Sequence, residues 1–277
     1  MKCAWKELIS ILPPHIRTEV DKRGKDSLQE LRMRLGRPIE LVMGTGSRWI
    51  DHPVSVSDMN FVVNAASRYS PWSSETIGSG YITAPGGHRI GICGECVMNS
   101  GVMTGIRSPT SLCIRVARDV TGIAPTQDLN ASVLILGPPG SGKTTLLRDL
   151  IRKISNTQQG SVTVVDERGE IFPLNCDFCI GERTDVLTLC KKPQGVMLAL
   201  RTMGPAWIAV DEITAQEDCE ALLHAGWCGV KLLATAHADN RQDLVSRPVY
   251  APLTKSGLFE TLLILQPDKS WRMERMR

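Results

Sequence analysis

The residues best suited to chemistry lie between Gly137 and Thr145 and read GPPGSGKTT. Gly137, Gly142, Lys143 and Thr144 fill the fixed places of the pattern Gly-x-x-x-x-Gly-Lys-Ser/Thr. Glycines at this spacing let a loop curl until its N–H groups converge on phosphate oxygens, and a helix that starts there adds the positive end of its dipole. Pro138, Pro139, Gly140, Ser141 and Thr145 complete the expected cradle. In such a loop Lys143 reaches the β- and γ-phosphates and Thr144 ligates Mg²⁺, so the cofactors expected are ATP and Mg²⁺.

The elements that must hold this loop are legible on either side of it. Val133 to Leu136 is an apolar run suited to a buried strand, and Leu146, Leu147, Leu150 and Ile154 recur at helical spacing after the loop. A second strand is predicted over 162–165, with Asp166, Glu167 and Glu170 just beyond it. A third, Ala206 to Val210, runs into Asp211 and Glu212, the Walker B pattern, 68 residues past Lys143. Asp211 is expected to hold Mg²⁺ through its water shell and Glu212 to orient or deprotonate an attacking water. VKLLATAH forms a further strand ending in Thr235 and His237, the latter either a γ-phosphate sensor or a structural prop. Ligands of open parallel α/β sheets gather at these carboxyl ends. Between the second and third strands, 171–192 reads as a loop and Pro193 opens a helix carrying Arg201 near its end. Thr214 is expected to cap the next helix, and FETLLILQ with SWRMERM to form a closing hairpin.

The chain of 277 residues, 42% hydrophobic, has room for two domains. Residues 1–118 are read as a smaller N-terminal α/β domain, 119–131 as a linker and 132–277 as the P-loop domain. In the first, two short helices flank Pro13 and Pro14, LQELRMRLG and IELVMG form paired strands, and Ser57 or Asp58 caps a helix that buries Phe61, Val62 and Ala65. Another short helix is expected before Gly78. Gly86-Gly87 marks a hairpin within the glycine-punctuated stretch from Gly80 to Arg118. Arg89, Arg107, Arg115 and Arg118 recur along it, and an arginine on a rigid strand suits a finger directed at a γ-phosphate.

Residues 1–118 carry 15 Lys and Arg against 10 Asp and Glu, and the remainder 17 against 19. No basic run or aromatic cluster suits nucleic acid, so no nucleic-acid partner is expected. No apolar run approaches the ~20 residues that span a bilayer, which predicts a cytoplasmic protein. Nine cysteines, an odd number, fit reduced thiols. Cys93-x-x-Cys96 and Cys176-x-x-Cys179 have zinc-like spacing, but 79 residues separate the pairs and a shared site is not expected.

Taken together, GPPGSGKTT, VVDERGE from Val164, LRTMGP from Leu200, IAVDE from Ile208 and ATAHAD from Ala234 resemble the boxes of the ATPases of bacterial secretion and type IV pilus systems. LPPHI, LRMRLGRPI, GYITAPGGHRIGI, IRVAR, GERTDV and WIAVDEI narrow the likeness to the stage III sporulation AA family of spore-forming Firmicutes. The resemblance implies a RecA-like P-loop ATPase domain behind the N-terminal α/β domain. It also implies a ring-forming homo-oligomer, expected to be a hexamer, that powers a sporulation channel. Peripheral membrane association on the mother-cell side of the forespore membrane and an integral membrane partner come with it. By the same likeness Glu170 is the acidic-box carboxylate, His237 the histidine-box residue, and Arg201 a matching catalytic position beside Glu212. Cys113 stands where that family has Asn, and Asp211-Glu212 where secretion ATPases usually have Gly-Glu. Other readings of the P-loop are a small-molecule kinase, a RecA-like nucleic-acid translocase and a non-hydrolysing nucleotide switch.

Overall fold

A computed structural model of the chain describes residues 3–25, 27–67, 80–127, 129–157, 160–173 and 176–276. The chain divides into two compact units: Met1–Asp119 with Pro173–Asp177, and Val120–Phe172 with Phe178–Arg277.

The first unit is built from helices α1 (Trp5–Ser10), α2 (Pro14–Gly24) and α3 (Val56–Ser67) and strands β1 (Leu28–Arg34), β2 (Ile39–Met43), β3 (Gly46–Ile50), β4 (Tyr81–Thr83), β5 (Arg89–Asn99) and β6 (Val102–Arg115). The strands form one antiparallel sheet in the order β3-β2-β1-β6-β5-β4. Side chains alternate along β1, one of the predicted strands: Leu31 and Met33 are buried with Leu41, Ile90 and Ile114, while Glu30, Arg32 and Arg34 take the other face. Leu35 lies past the strand end and is exposed. Leu8, Ile11, Leu12, Ile16 and Val20 of the first two helices pack into the same core. Pro14 opens α2, where its missing N–H costs nothing. The helix at Val56 starts ahead of the predicted caps. Ser55 and Asp58 exchange side-chain bonds to each other's backbone N–H, at 3.2 and 2.9 Å. Its buried face is Met59, Val62 and Ala66, and Phe61 is exposed instead. Gly86-Gly87 joins β4 to β5 as predicted, both with positive φ. The short helix expected before Gly78 falls outside the described residues.

The second unit carries β7 (Val133–Leu136), α4 (Lys143–Asn156), β8 (Val162–Asp166), β9 (Thr184–Thr188), α5 (Lys192–Thr202), β10 (Trp207–Val210), α6 (Gln216–Trp227), β11 (Lys231–Ala236), α7 (Arg241–Ser246), α8 (Ala251–Ser256), β12 (Thr261–Leu265) and β13 (Trp271–Arg275). Its sheet runs β13-β12-β7-β11-β10-β8-β9, parallel except for β13. Each inner strand is apolar on both faces, as a sheet covered on both sides requires. Val133, Ile135, Trp207 and Ala209 meet Leu146, Leu150 and Ile154 of α4 on one side. Leu134, Leu136, Ile208 and Val210 meet Val196, Cys219 and Leu222 of α5 and α6 on the other. The predicted closing hairpin, β12 and β13, turns at Pro267-Asp268-Lys269 and extends this sheet.

Two local readings change. The stretch read as a loop contains the edge strand β9, whose half-buried TDVLT lacks an apolar run. Thr214 does not cap α6; its N–H and that of Ala215 donate to Asp218 inside the helix. Residues 120–127 lie fixed on α4, with Asp149 accepting the N–H groups of Ile123 and Ala124 and Lys153 binding the carbonyls of Pro125, Thr126 and Gln127.

Candidate functional site

Four strand ends along one edge of the seven-stranded sheet assemble the site. β7 leads into loop 137–142 and α4, β8 ends at Asp166, β10 runs into Asp211 and Glu212, and β11 into His237. The turn before α4 requires its glycines: Gly140 and Gly142 have φ of +74 and +104 degrees. A Cβ at Gly137 would stand 2.6 Å from Ser141 Oγ. That hydroxyl is buried and hydrogen-bonds to nothing among the described residues, the condition of a group whose partner is an oxyanion supplied from outside.

Lys143 is buried in its own loop. Its Nζ donates to the carbonyls of Gly137 and Pro138, each at 2.9 Å, and to His237 Nδ1 at 3.1 Å. Burial lowers the ammonium's affinity for its proton, against the pull of Asp211 and Glu212. Because an ammonium only donates, Nδ1 of His237 must accept, which leaves the ring proton on Nε2. Nε2 in turn donates to Glu212 Oε1 at 2.8 Å. Lys143, His237 and Glu212 thus form one hydrogen-bonded relay.

Glu212 is held at several points. Arg168 Nη1 reaches its Oε2 at 2.5 Å, and its own N–H donates to Thr235 Oγ1 at 2.8 Å. Its backbone is left-handed, φ +53 degrees, a conformation that costs a non-glycine residue about 1–2 kcal/mol. Such a residue persists only where its surroundings fix it. Burial works to raise the Glu212 carboxyl, but the His237 bond and the charges of Arg168 and Lys143 prevail and hold it below the ordinary carboxylate range.

The neighbouring Asp211 accepts from Thr144 Oγ1 at 2.6 Å and from Thr235 Oγ1 at 2.5 Å. A hydroxyl and a carboxylate in direct contact suit a shared Mg²⁺ shell. The cleft beside them is lined by five carboxylates, Asp166, Glu167, Glu170, Asp211 and Glu212, against Arg168 and Lys192, an excess that fits a hard cation. These residues fit both the nucleotide phosphates and Mg²⁺.

Comparison with known proteins identifies the lineage. The family model for sporulation stage III, protein AA, matches residues 4–273. The chain belongs to that family. It is 34% identical over 282 residues to stage III sporulation protein AA of Bacillus subtilis (strain 168), covering 95% of this chain and 91% of that relative. Among solved structures, the pilus retraction motor PilT with bound ADP is similar at a TM-score of 0.60 and 14% identity, over 90% of this chain and 76% of that one. The ATPase DotB of Legionella pneumophila follows at 0.56 and 19%, over 95% and 80%. The AA-family chain therefore has the RecA-like fold of the secretion ATPases, with a sheet-containing α/β unit ahead of it. Among the described residues no helix is long and apolar enough to cross a membrane.

Of the remaining predicted site residues in this AA-family chain, Glu170 lines the acidic cleft with Asp211 and Glu212. Arg201 does not reach that cluster within the chain. It sits on the exposed last turn of α5, beside Met197 and Leu198. The four strand arginines belong to the first unit. Arg89 lies over the ring of Tyr81, 4.0 Å to its centroid. Arg107 pairs with Glu95 at 2.5 Å. Arg118 donates to the carbonyls of Leu28 and Lys25. Arg115, with 64% of its side chain exposed, stands 3.5 Å from Glu30.

Arg168 and Lys192 escaped the sequence reading, and Asp166 and Thr235 entered it only as residues at the strand ends where ligands gather. Thr235 links Asp211 to the Glu212 backbone, and Arg168 holds Glu212. Lys192 is buried and pairs with Glu167. Asp166 accepts the N–H groups of Glu170, Ile171 and Phe172, each at 2.9 Å, and so shapes the turn that presents Glu170. Its burial pushes the carboxyl up to about 6. The one sequence signal for this group was position: Asp166, Arg168 and Thr235 lie within three residues of a predicted strand end, and Lys192 directly precedes the helix that Pro193 was expected to open.

Proposed function

We propose that this chain is an Mg²⁺-dependent ATPase of the secretion type that works as a ring, a hexamer as the resemblance of its boxes to the secretion ATPases implies, to power a sporulation channel at the forespore membrane. The observation that carries the reading is the contact of Thr144 Oγ1 with Asp211 Oδ2 at 2.6 Å, beside the Lys143–His237–Glu212 relay. Bound Mg²⁺ would supply charge neutralisation at the transferring phosphoryl group. Thr144 and Asp211 are the residues to hold it. Lys143 and the N–H groups of 137–145 bind and orient the phosphates, and Ser141 Oγ gains the acceptor it lacks. Nucleotide phosphate competes with His237 for Lys143, so the arrival of ligand frees the imidazole. His237 then reports occupancy to Glu212, the carboxylate best placed to take a proton from the attacking water. Glu170 orients or polarises that water alongside it. Arg201 and, of the strand arginines, the loosely held Arg115 suit a site completed by a second subunit.

Phosphate release by the purified chain tests this reading. Lys143→Ala should abolish turnover, and Glu212→Gln should bind ATP while hydrolysing it at least ~100-fold more slowly, the order expected for losing a general base. Wild-type turnover in Lys143→Ala would sink the proposal. A wild-type chain that binds ATP in its assembled ring and releases no phosphate would point to the nucleotide switch, and turnover that depends on DNA to the translocase.

A further inference from the structure

Away from the nucleotide site, in the first unit, three side chains from separate segments converge. His15 is the second residue of α2 and part of LPPHI, His52 lies just past β3, and Asp58 sits in the first turn of α3. His15 Nε2 and His52 Nε2 are 3.2 Å apart. Asp58 presents Oδ1 to His15 at 3.1 Å and Oδ2 to His52 at 3.2 Å. Among the described residues this is the one group of three or more histidine, cysteine or acidic side chains with metal-ligand spacing.

We propose that His15, His52 and Asp58 bind a Zn²⁺-class divalent transition-metal ion, with the fourth position open to water or an exogenous ligand. Bonds of about 2.0–2.1 Å at tetrahedral angles separate neighbouring ligand atoms by roughly 3.3–3.4 Å. The His15 Nε2–His52 Nε2 and His15 Nε2–Asp58 Oδ1 separations, 3.2 and 3.1 Å, are therefore already close to two edges of such a tetrahedron, with Oδ1 as the carboxylate ligand. Two imidazoles with one carboxylate match the preference of a borderline ion, and Mg²⁺ would not select them. The carboxylate is preset, since Ser55 donates to Asp58 Oδ2 from its N–H at 2.9 Å and from its hydroxyl at 2.8 Å. Such outer hydrogen bonds are the usual support of a metal-bound carboxylate. The open side is wet: 51% of the His15 side chain and 33% of His52 are exposed, against 5% of Asp58, which provides an entry path. An ion there would tie the start of α2 to the β3–α3 connection.

The test is Zn²⁺ titration of the purified full chain, with Mg²⁺ in excess to occupy oxygen-only sites, followed by Co²⁺ substitution. One equivalent of histidine-dependent Zn²⁺ is expected, together with visible Co²⁺ ligand-field bands that lack a thiolate charge-transfer band. His15→Gln and His52→Gln keep an N–H for Asp58, so the fold read by circular dichroism should hold while affinity falls at least about 100-fold; Ser55→Ala should cost about 10-fold. The same number of Zn²⁺ equivalents and the same affinity in the wild type and the His15→Gln, His52→Gln double variant would overturn the proposal. So would Co²⁺ spectra showing thiolate ligation unchanged by those substitutions.

Discussion

Replacing His237 by Ala should tighten ADP binding while slowing hydrolysis, a combination that follows from the relay and from no simpler role. Lys143 Nζ is held by two carbonyls at 2.9 Å and by His237 Nδ1 at 3.1 Å. A β-phosphate must draw the ammonium away from these partners. A hydrogen bond to a charged group is worth about 1.5–3 kcal/mol net. The long contact and the 28% exposure of His237 place this one at the low end. Removing about 1.5 kcal/mol from the free state strengthens binding roughly tenfold, at 1.4 kcal/mol per decade. ADP is the proper probe because it lacks the γ-phosphate that His237 would itself meet. Turnover should fall, since Glu212 Oε1 loses the donor that positions it and keeps Arg168 on its other oxygen. His237→Gln, whose amide can accept from Lys143 and donate to Glu212, should fall between the two in both measurements. Fluorescence titration with a labelled ADP and phosphate release on the same samples decide the matter. Weaker or unchanged ADP affinity in a folded His237→Ala protein, or undiminished turnover, would refute the relay.

Two further outcomes concern stability. The folded value of Asp166, about 6, lies above the ordinary 3.8, so the folded chain binds this proton more tightly. That contribution is present at low pH and is lost as pH rises through about 6, a loss of about 3 kcal/mol. Asp166→Asn should remove this slope, so between about pH 4 and about pH 8 its stability should shift by about 3 kcal/mol in its favour relative to wild type. Urea melts in chelator check it, and parallel pH profiles would contradict it. Gly86→Ala should lower the urea midpoint of the first unit, since φ is +76 degrees and the new Cβ would stand 2.3 Å from that of Ala4. A cost of about 2–5 kcal/mol is expected from backbone strain and overpacking together, and a melt superimposable on wild type would exclude that geometry.

The second unit was legible because its signals are local and doubled. Continuous apolar strands such as VLIL and WIAV are bounded by glycine or acids, and α4 repeats its leucines at helical spacing. Edge strands were harder: β9 and β3 are half-buried or exposed, so neither carries an apolar run. In the site, residues fixed by backbone geometry could be named from the sequence, as with Lys143, Thr144 and Asp211. Residues fixed by long-range pairing could not. Arg168 follows a predicted strand end like many surface arginines, and its bond to Glu212 spans 44 residues. His15, His52 and Asp58 likewise meet only because α2, the β3 end and α3 converge.

Strand order accounts for the rest of the arrangement. Along the chain the boxes run loop 137–145, Glu170, Asp211-Glu212, His237, whereas across the sheet the strands bearing them run β7, β11, β10, β8. The last box in sequence therefore lies between the first and the third in space. Adjacent parallel strands are about 4.8 Å apart, so the ends of β7 and β10 are two spacings apart; the start of α4 brings Thr144 to Asp211 directly, at 2.6 Å, whereas Lys143 and Glu212 are joined through His237. β11 fills that gap, and it does so with the residue type able to accept on one ring nitrogen and donate on the other. A carboxylate or an ammonium at 237 could serve only one of its two neighbours as His237 does. Glu170 follows β8, the strand on the other side of β10 from β11, and lines one cleft with Glu212. In the proposed mechanism that order separates the roles: His237 would couple phosphate occupancy to Glu212, and Glu170 would act on whatever lies in the cleft that Glu212 shares with it.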